Sequence, residues 1–305
     1  MRIHHGLPAE RLPAAALTIG SFDGLHLGHQ AVIEHLGRRA SELGLRRALV
    51  TFEPHPRCVL DPENCPKNIT TLDEKLRLLE QLGVDEAVVL LFTRDLAGQS
   101  AADFMAALLA SVDVRVLVTG HDFALGRGRE GDLDWLGDFC AGHGLELDVL
   151  EPQRLDGREL HSSDIRRLVT LGDVDQANRL LGREFALQGM VEHGHRIGRG
   201  LGFPTLNVSV TPNKLVPGAG VYAGRARVGA QTFMAAIGVG YRPTFGGTDL
   251  TVEAYLLDYE GDLYQQRVEV AFTARLRDEL KFESPEALAE QMRRDVEETR
   301  RLLDG

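Results

Sequence analysis

The sequence predicts an α/β unit on a parallel, doubly wound sheet, followed by an antiparallel β unit that ends in a helix. Three observations carry this prediction. Continuous apolar runs at 14–19, 47–52, 87–92, 115–119 and 145–150 alternate with helical patterns, the order that buries a parallel sheet between helices. From Arg183 onward the segments are short, glycine-separated and of period two, as in antiparallel structure. A chain of 305 residues exceeds what one core usually serves, so the change of character at about 182 to 186 is read as a domain boundary.

Composition narrows the class. At 43% hydrophobic and 26% charged residues the chain is globular in character. No run of about 18 apolar residues is available to span a membrane, and residues 1–13 lack the apolar core of a signal peptide. Three scattered cysteines form no disulfide framework, which points to a reduced cytoplasm. The net charge of -11 argues against a general nucleic-acid binder. If substrates are anionic, their sites must be local exceptions to a repelling field, so clusters of Gly, Arg and His carry weight.

The first such cluster is GSFDGLHLGH, Gly20 to His29, between the first strand and a helix with apolar residues at 32, 33, 36, 40 and 43. Strand, glycine turn and helix put loop backbone and a helix N-terminus at the carboxyl edge of a parallel sheet, where anions bind. His26 and His29 fall on the first helical turn, with Gly28 between them leaving room for a ligand. Such a pair can donate to phosphate oxygens as charge builds up. The lesser readings are a surface pair or half a metal site, and Cys58 and Cys65 lack zinc-knuckle spacing.

The strand at 47–52 stops at Glu53-Pro54-His55-Pro56-Arg57, where two prolines predict an extended, rigid loop that either ends the strand or lines a cleft. An amphipathic helix follows at 72–82, with Asp73 and Glu74 in its first turn and Gly83 closing it. Ser100 caps a helix over 100–109. The strand at 115–119 runs into residues 120–129, where Asp122, Phe123, Gly126 and Arg127 sit in a glycine- and arginine-rich turn suited to a triphosphate or pyrophosphate. After a helix over 135–143 and the strand at 145–150, Gly157 marks a hairpin-like turn. Residues 160–167 then open a helix where Ser163 and Arg166 form a second anion site, or where the hydroxyls merely cap. A short helix over 174–181 ends at Gly182.

In the second unit, a strand over 185–192 leads to residues 193–202, a flexible basic flap over phosphates that includes Gly198, Arg199 and Gly202. Its GxGxG lacks the flanking parallel strand and helix of a dinucleotide fingerprint, and no GKS or GKT exists for a P-loop. Thr205 and Asn207 are two apart on an extended segment and share a face. Their oxygens suit Mg²⁺, although turn chemistry is the simpler reading of such a pair alone. A strand begins at 220–224, a loop is expected over 238–246, and 251–256 alternates with Thr251, Glu253 and Tyr255 on one face. The alternation leaves open which face is buried. A hairpin at 258–264, a strand at 268–272 and an amphipathic helix from Ser284 to about Leu303, with Leu288, Met292 and Val296 inward, complete the chain.

Several of these strings carry a resemblance. GSFDGLHLGH resembles the GxFDGxHxGH signature of the nucleotidyltransferases that make FAD in bacteria, a variant of the HxGH motif of adenylyl- and cytidylyltransferases. It implies roles there for Gly20, Phe22, Asp23, Gly24, His26, Gly28 and His29. TFEPHPR at 51–57 is similar to the loop that closes the flavin and nucleotide site, implicating Pro54, His55 and Pro56. Residues 120–129 resemble GxDFxFGxxR, with Leu125 at the usual aromatic position. Residues 161–166 resemble SSTxIR, with His161 replacing the first serine, Ser163 at the Thr position and Arg166 at the Arg.

GRGLGFPTLN at 198–207 resembles the GRxLGFPTxN segment of riboflavin kinases, in which the Thr and Asn bind the metal. Residues 238–246 are similar to IGxRPTFG and residues 252–259 to VEVHLLDF, which makes Glu253 the base acting on the ribityl hydroxyl. Arg275 lies in a segment similar to one that closes over the flavin.

The resemblance implies an α/β Rossmann-like nucleotidyltransferase domain over 1–182 and a small antiparallel β-barrel of riboflavin kinase type, with a C-terminal helix, over 183–305. The second would turn riboflavin and ATP into FMN and ADP; the first would join FMN to the AMP part of ATP. Mg²⁺ is the implied cofactor, riboflavin, FMN and ATP the partners, with no nucleic acid and no membrane, a weak homo-oligomer allowed, and the cytoplasm as the location. Two other readings stand beside it. One is a working kinase with an impaired adenylyltransferase, motivated by Ser21, Leu125 and His161; the other is a flavin or nucleotide sensor without chemistry.

Overall fold

The computed structural model describes residues 1–155, 157–192, 203–244 and 247–304, with side chains described outside 242–249. The chain folds as two compact units, 1–161 and 162–305.

In the first unit the strands are β1 (Arg2–His5), β2 (Leu12–Ile19), β3 (Arg46–Glu53), β4 (Glu86–Leu91), β5 (Val112–Gly120) and β6 (Glu146–Leu150). Among the described residues they form a parallel sheet of order β1-β4-β3-β2-β5-β6. The connecting helices are α1 (Leu27–Leu43), α2 (Pro56–Leu60), α3 (Leu72–Gln81), α4 (Arg94–Ala97), α5 (Ala101–Ser111) and α6 (Leu133–His143). Phe104, Met105 and Leu108 of α5 and Leu136 and Cys140 of α6 pack on one face, against Leu17, Ile19, Val50 and Leu117. Ile33, Leu36 and Ala40 of α1 and Leu76 and Leu79 of α3 cover the other. Helices on both faces make the sheet doubly wound, as the alternation predicts.

The chain leaves β2 towards β3 on one side, and β5 lies on the other, so a crevice opens beyond the carboxyl ends of β2 and β5. The loops at 20–29 and 120–129 flank that crevice.

Several details differ from expectation. β1 has no apolar run to announce it; it is held by main-chain pairing to β4 and by Arg2 and His4, which both engage the buried carboxylate of Glu86. Residues 53–57 are not wholly extended, because Pro56 takes the first position of α2 and His55 Nδ1 accepts from the Arg57 amide at 3.2 Å. The Glu53–Pro54 peptide is cis. Cys58 and Cys65 are joined in a disulfide, against the expectation of unpaired thiols. The turn of α2 and the 3-10 turn at Pro62–Asn64 fold the chain back on itself and bring their Cα atoms to 4.2 Å. Cys140 is a free, buried thiol. The turn at Gly157 joins β7 (Arg154–Leu155) to β8 (Arg158–Glu159), which pair as an antiparallel hairpin.

The second unit opens with α7 (Ser162–Leu171) and α8 (Val174–Leu181) and continues as β9 (Phe185–Glu192), β10 (Leu206–Val208), β11 (Gly220–Val228), β12 (Gln231–Thr244), β13 (Gly247–Leu256), β14 (Arg267–Arg277) and α9 (Pro285–Leu303). The strands close an antiparallel barrel of order β10-β13-β12-β11-β14-β9. The helices of 162–181 fold with this barrel: Asn178 donates to the Phe272 carbonyl at 2.8 Å and accepts from the Phe185 amide at 2.6 Å.

Residues 238–244, expected as loop, continue β12, because Val239, Gly240 and Tyr241 pair with Val252, Thr251 and Leu250. Phe245 and Gly246, and the whole flap at 193–202, lie outside the described residues. Helix α9 turns Ala289, Asp295 and Thr299 inward, two of them polar. Arg277 of β14 grips Asp295 through Nε and Nη2 at 2.9 and 2.7 Å, which pairs the buried carboxylate.

Candidate active sites

The loop after β2 is strained. Phe22 and Leu25 are non-glycine residues with φ of 48° and 42°, a conformation that costs of order 1–3 kcal/mol each and persists only when surroundings impose it. Both side chains are buried, at 4% and 1% exposure. Asp23 accepts from the amides of Ile69 and Thr70 at 3.1 and 3.0 Å and from the Thr70 hydroxyl at 3.2 Å, and that hydroxyl accepts from the Gly24 amide. Asp23 therefore fastens the loop to the segment before α3. The strain is thus held by named bonds.

His26 occupies the N-cap of α1, and its carbonyl accepts the first helical bond, from Gln30, at 2.9 Å. The His26 and His29 rings stack with centroids 3.8 Å apart, and Phe22 meets His29 edge-on at 5.2 Å. A Cβ on Gly28 would come within 3.0 Å of the His26 ring, so glycine is what lets the rings lie this way. The spacing correctly joins the two imidazoles at the helix start. Among the described residues no group of three or more His, Cys, Asp or Glu is placed to hold a metal.

Beyond β5, Asp122 is exposed and its carbonyl accepts from Arg129 at 2.8 Å, while Phe123 packs on the core. Leu125 is only 9% exposed and pairs through its main chain with Gly131, so this position serves packing. Gly126 has φ of 77° and lies so close to α5 that a Cβ would sit 2.5 Å from the Ala101 amide nitrogen. Arg127 reaches outward, its side chain 69% exposed and 3.9 Å from Glu130. His121 and His161 each lie 3.9 Å from one Glu159 oxygen. Ser163 and Arg166 stand on α7, in the second unit.

One group escaped the sequence reading. Lys75 of α3, only 4% exposed, donates from Nζ to the Ser21 carbonyl at 2.8 Å and to Thr51 Oγ1 at 3.3 Å. Burial pushes its pKa down, opposed by Asp23 and Glu53. Burial likewise raises the Glu53 carboxyl, which Lys75 pulls back. The available signal was a lysine at the inward spacing of Leu72, Leu76 and Leu79.

In the barrel, Val252, Ala254 and Leu256 are buried, which resolves the alternation and turns Thr251, Glu253 and Tyr255 to the other face. Asn207 is paired directly opposite Glu253 across β10 and β13. Thr205 Oγ1 donates to Glu253 Oε2 at 3.2 Å. The hydroxyl, the amide and the carboxylate thus share one face, half-buried rather than sealed. Arg275 donates from Nη2 to the Ala219 carbonyl at 2.6 Å and pairs with Asp278 at 2.8 Å. Gly198, Arg199 and Gly202 lie outside the described residues.

The family model for FAD synthetase matches residues 9–164, and that for riboflavin kinase matches residues 181–303. A bifunctional riboflavin kinase/FMN adenylyltransferase of Pseudomonas fluorescens is 38% identical over 98% of this chain and 96% of its own. One of Listeria monocytogenes is 36% identical over 93% and 91%. The crystal structure of a macrolide-efflux protein from Streptococcus pneumoniae matches with a TM-score of 0.90, at 28% identity over 98% of each chain. No described helix here is long and apolar enough to cross a membrane. The chain belongs to the bifunctional riboflavin kinase/FMN adenylyltransferase family, the transferases that use ATP to phosphorylate riboflavin and to adenylylate the FMN so formed.

Proposed function

We propose that each reaction is carried by the residues that the motifs single out, with adenylyl transfer assigned to residues 1–182 and riboflavin phosphorylation to 183–305. The observation that carries the kinase assignment is the hydrogen bond from Thr205 to Glu253, with Asn207 opposite Glu253 in the same ladder. Glu253 takes the proton of the riboflavin hydroxyl that attacks the γ-phosphate of ATP. Because the Thr205 hydroxyl proton points at Glu253, its oxygen lone pairs and the Asn207 amide oxygen remain suited to a hard cation. Mg²⁺ is the cation proposed; bound there, it would neutralise charge on the ATP phosphates. Gly198, Arg199 and Gly202 are assigned to nucleotide binding by the motif that carries them, and Arg275 borders the flavin.

In adenylyl transfer, His26 and His29 donate to the α-phosphate as negative charge accumulates, helped by the amides of the α1 N-terminus. Gly20, Phe22, Asp23, Gly24 and Gly28 shape that loop. Pro54, His55 and Pro56 border the flavin, Asp122, Phe123, Gly126 and Arg127 hold the nucleotide, and the roles proposed for Ser163 and Arg166 on the ATP phosphates rest on the motif alone. The exposed guanidinium of Arg127 supports this reading. We place the enzyme in the cytoplasm, without nucleic acid or membrane as partner and with at most weak self-association.

The test is chromatographic. Purified protein, stripped of metal and given riboflavin, ATP and graded Mg²⁺, is expected to make FMN and then FAD. FMN without FAD would favour an impaired adenylyltransferase, and neither product would favour a sensor. Undiminished FMN formation in the absence of any divalent cation would remove the metal assignment.

A further inference from the structure

We propose that Lys75 is a positioning residue for adenylyl transfer, holding the Ser21 carbonyl so that the strained turn delivers His26 and His29 to the phosphate. The inference rests on the histidine assignment above. Its geometry is a closed triangle: Lys75 Nζ donates to Ser21 O and to Thr51 Oγ1, and Thr51 Oγ1 donates to the same Ser21 O at 3.1 Å. Lys75 is 4% exposed and Thr51 wholly buried.

Burying an ammonium is costly unless it is paired, and a simple packing position would be filled at lower cost by Leu or Met. The lysine is instead aimed at the carbonyl that precedes Phe22, the first of the turn's two non-glycine residues held at positive φ. The middle of the same turn is fastened by Asp23 to Ile69 and Thr70, three and two residues before the start of α3. Lys75 therefore tethers the entrance of the turn and Asp23 its middle, and both tethers lead to α3 or the segment just before it. The exit of the turn is His26, the N-cap of α1. With the entrance released, Phe22 is free to relax its backbone, and its ring contact with His29 moves with it.

The expected signature is loss of turnover rather than of binding, because misplacement by about 1 Å costs roughly 10²-fold in rate. Lys75→Met, assayed with FMN, ATP and Mg²⁺, should lower kcat for FAD formation by about 10- to 100-fold with little change in either KM. Riboflavin kinase turnover in the same preparation should be unchanged. Thr51→Val, which keeps the charge and removes the bridging hydroxyl, should give a smaller loss in the same direction, and Thr51→Ser should restore turnover. If Lys75→Met does not fold, the Thr51 pair decides. The proposal is overturned if folded Lys75→Met keeps wild-type kcat, if the loss is confined to KM or shared by the kinase, or if Thr51→Ser is as impaired as Thr51→Val. His29→Ala is run alongside: full FAD formation in that variant sinks the histidine assignment, whereas its loss beside an active Lys75→Met sinks the lysine proposal alone.

Discussion

Thr205 donates its hydroxyl proton to Glu253 at 3.2 Å, so a proposed metal ligand and the proposed base of the kinase are in direct contact. Removing either changes the environment of the other. Since phosphoryl transfer depends on positioning and charge neutralisation, Asn207→Ala should impair FMN formation at least as much as Glu253→Gln, whose loss as a general base is about 10²- to 10⁴-fold. Steady-state kcat at saturating Mg²⁺ decides this. Near-normal turnover of Asn207→Ala removes Asn207 from the site.

The Cys58–Cys65 bond makes a simple count. Denatured protein purified without reductant should expose a single reactive thiol, Cys140, and all three cysteines of the sequence should react after reduction. A bridge closing so short a loop contributes about 2 kcal/mol in the chain-entropy account, so Cys58→Ser should lower the melting temperature under non-reducing conditions. Equal thiol counts before and after reduction would show that the bridge does not form in the isolated protein.

Glu53 gives a pH prediction. Burial raises its carboxyl above the ordinary 4.5, so the folded chain holds a proton there that the unfolded chain releases. Wild-type stability therefore falls as pH rises from about 4.5 towards the raised value, a slope that Glu53→Gln lacks. Thermal unfolding from pH 4 to 7 should show the Gln variant gaining on the wild type as pH increases. A constant difference across that range would mean the carboxyl is not perturbed.

Much of this was legible in the sequence. The apolar runs and their alternation with helical patterns point to the parallel sheet, and the period-two segments after Gly182 to antiparallel pairing, whereas closure of those strands into a barrel was implied only by the resemblance. The histidine pair and the Thr205–Asn207 face follow from spacing alone. What stayed hidden depends on partners distant in sequence. β1 is held by Glu86, more than eighty residues away, rather than by an apolar run. Asp295 is buried on α9 because Arg277 meets it, which no helical wheel reveals. Lys75 reads as one more charge on an amphipathic helix until Ser21 and Thr51 are seen beneath it. The pairing of Cys58 with Cys65 required the turns between them.

The central claim is that two separate groups of residues carry the two reactions, and His29→Ala tests it most directly. Incubated with riboflavin, ATP and Mg²⁺, this variant should form FMN at the wild-type rate while FAD formation falls by roughly 10²- to 10³-fold, the usual loss for one transition-state donor. Equal loss of both products, or FAD formed at the wild-type rate, would contradict it.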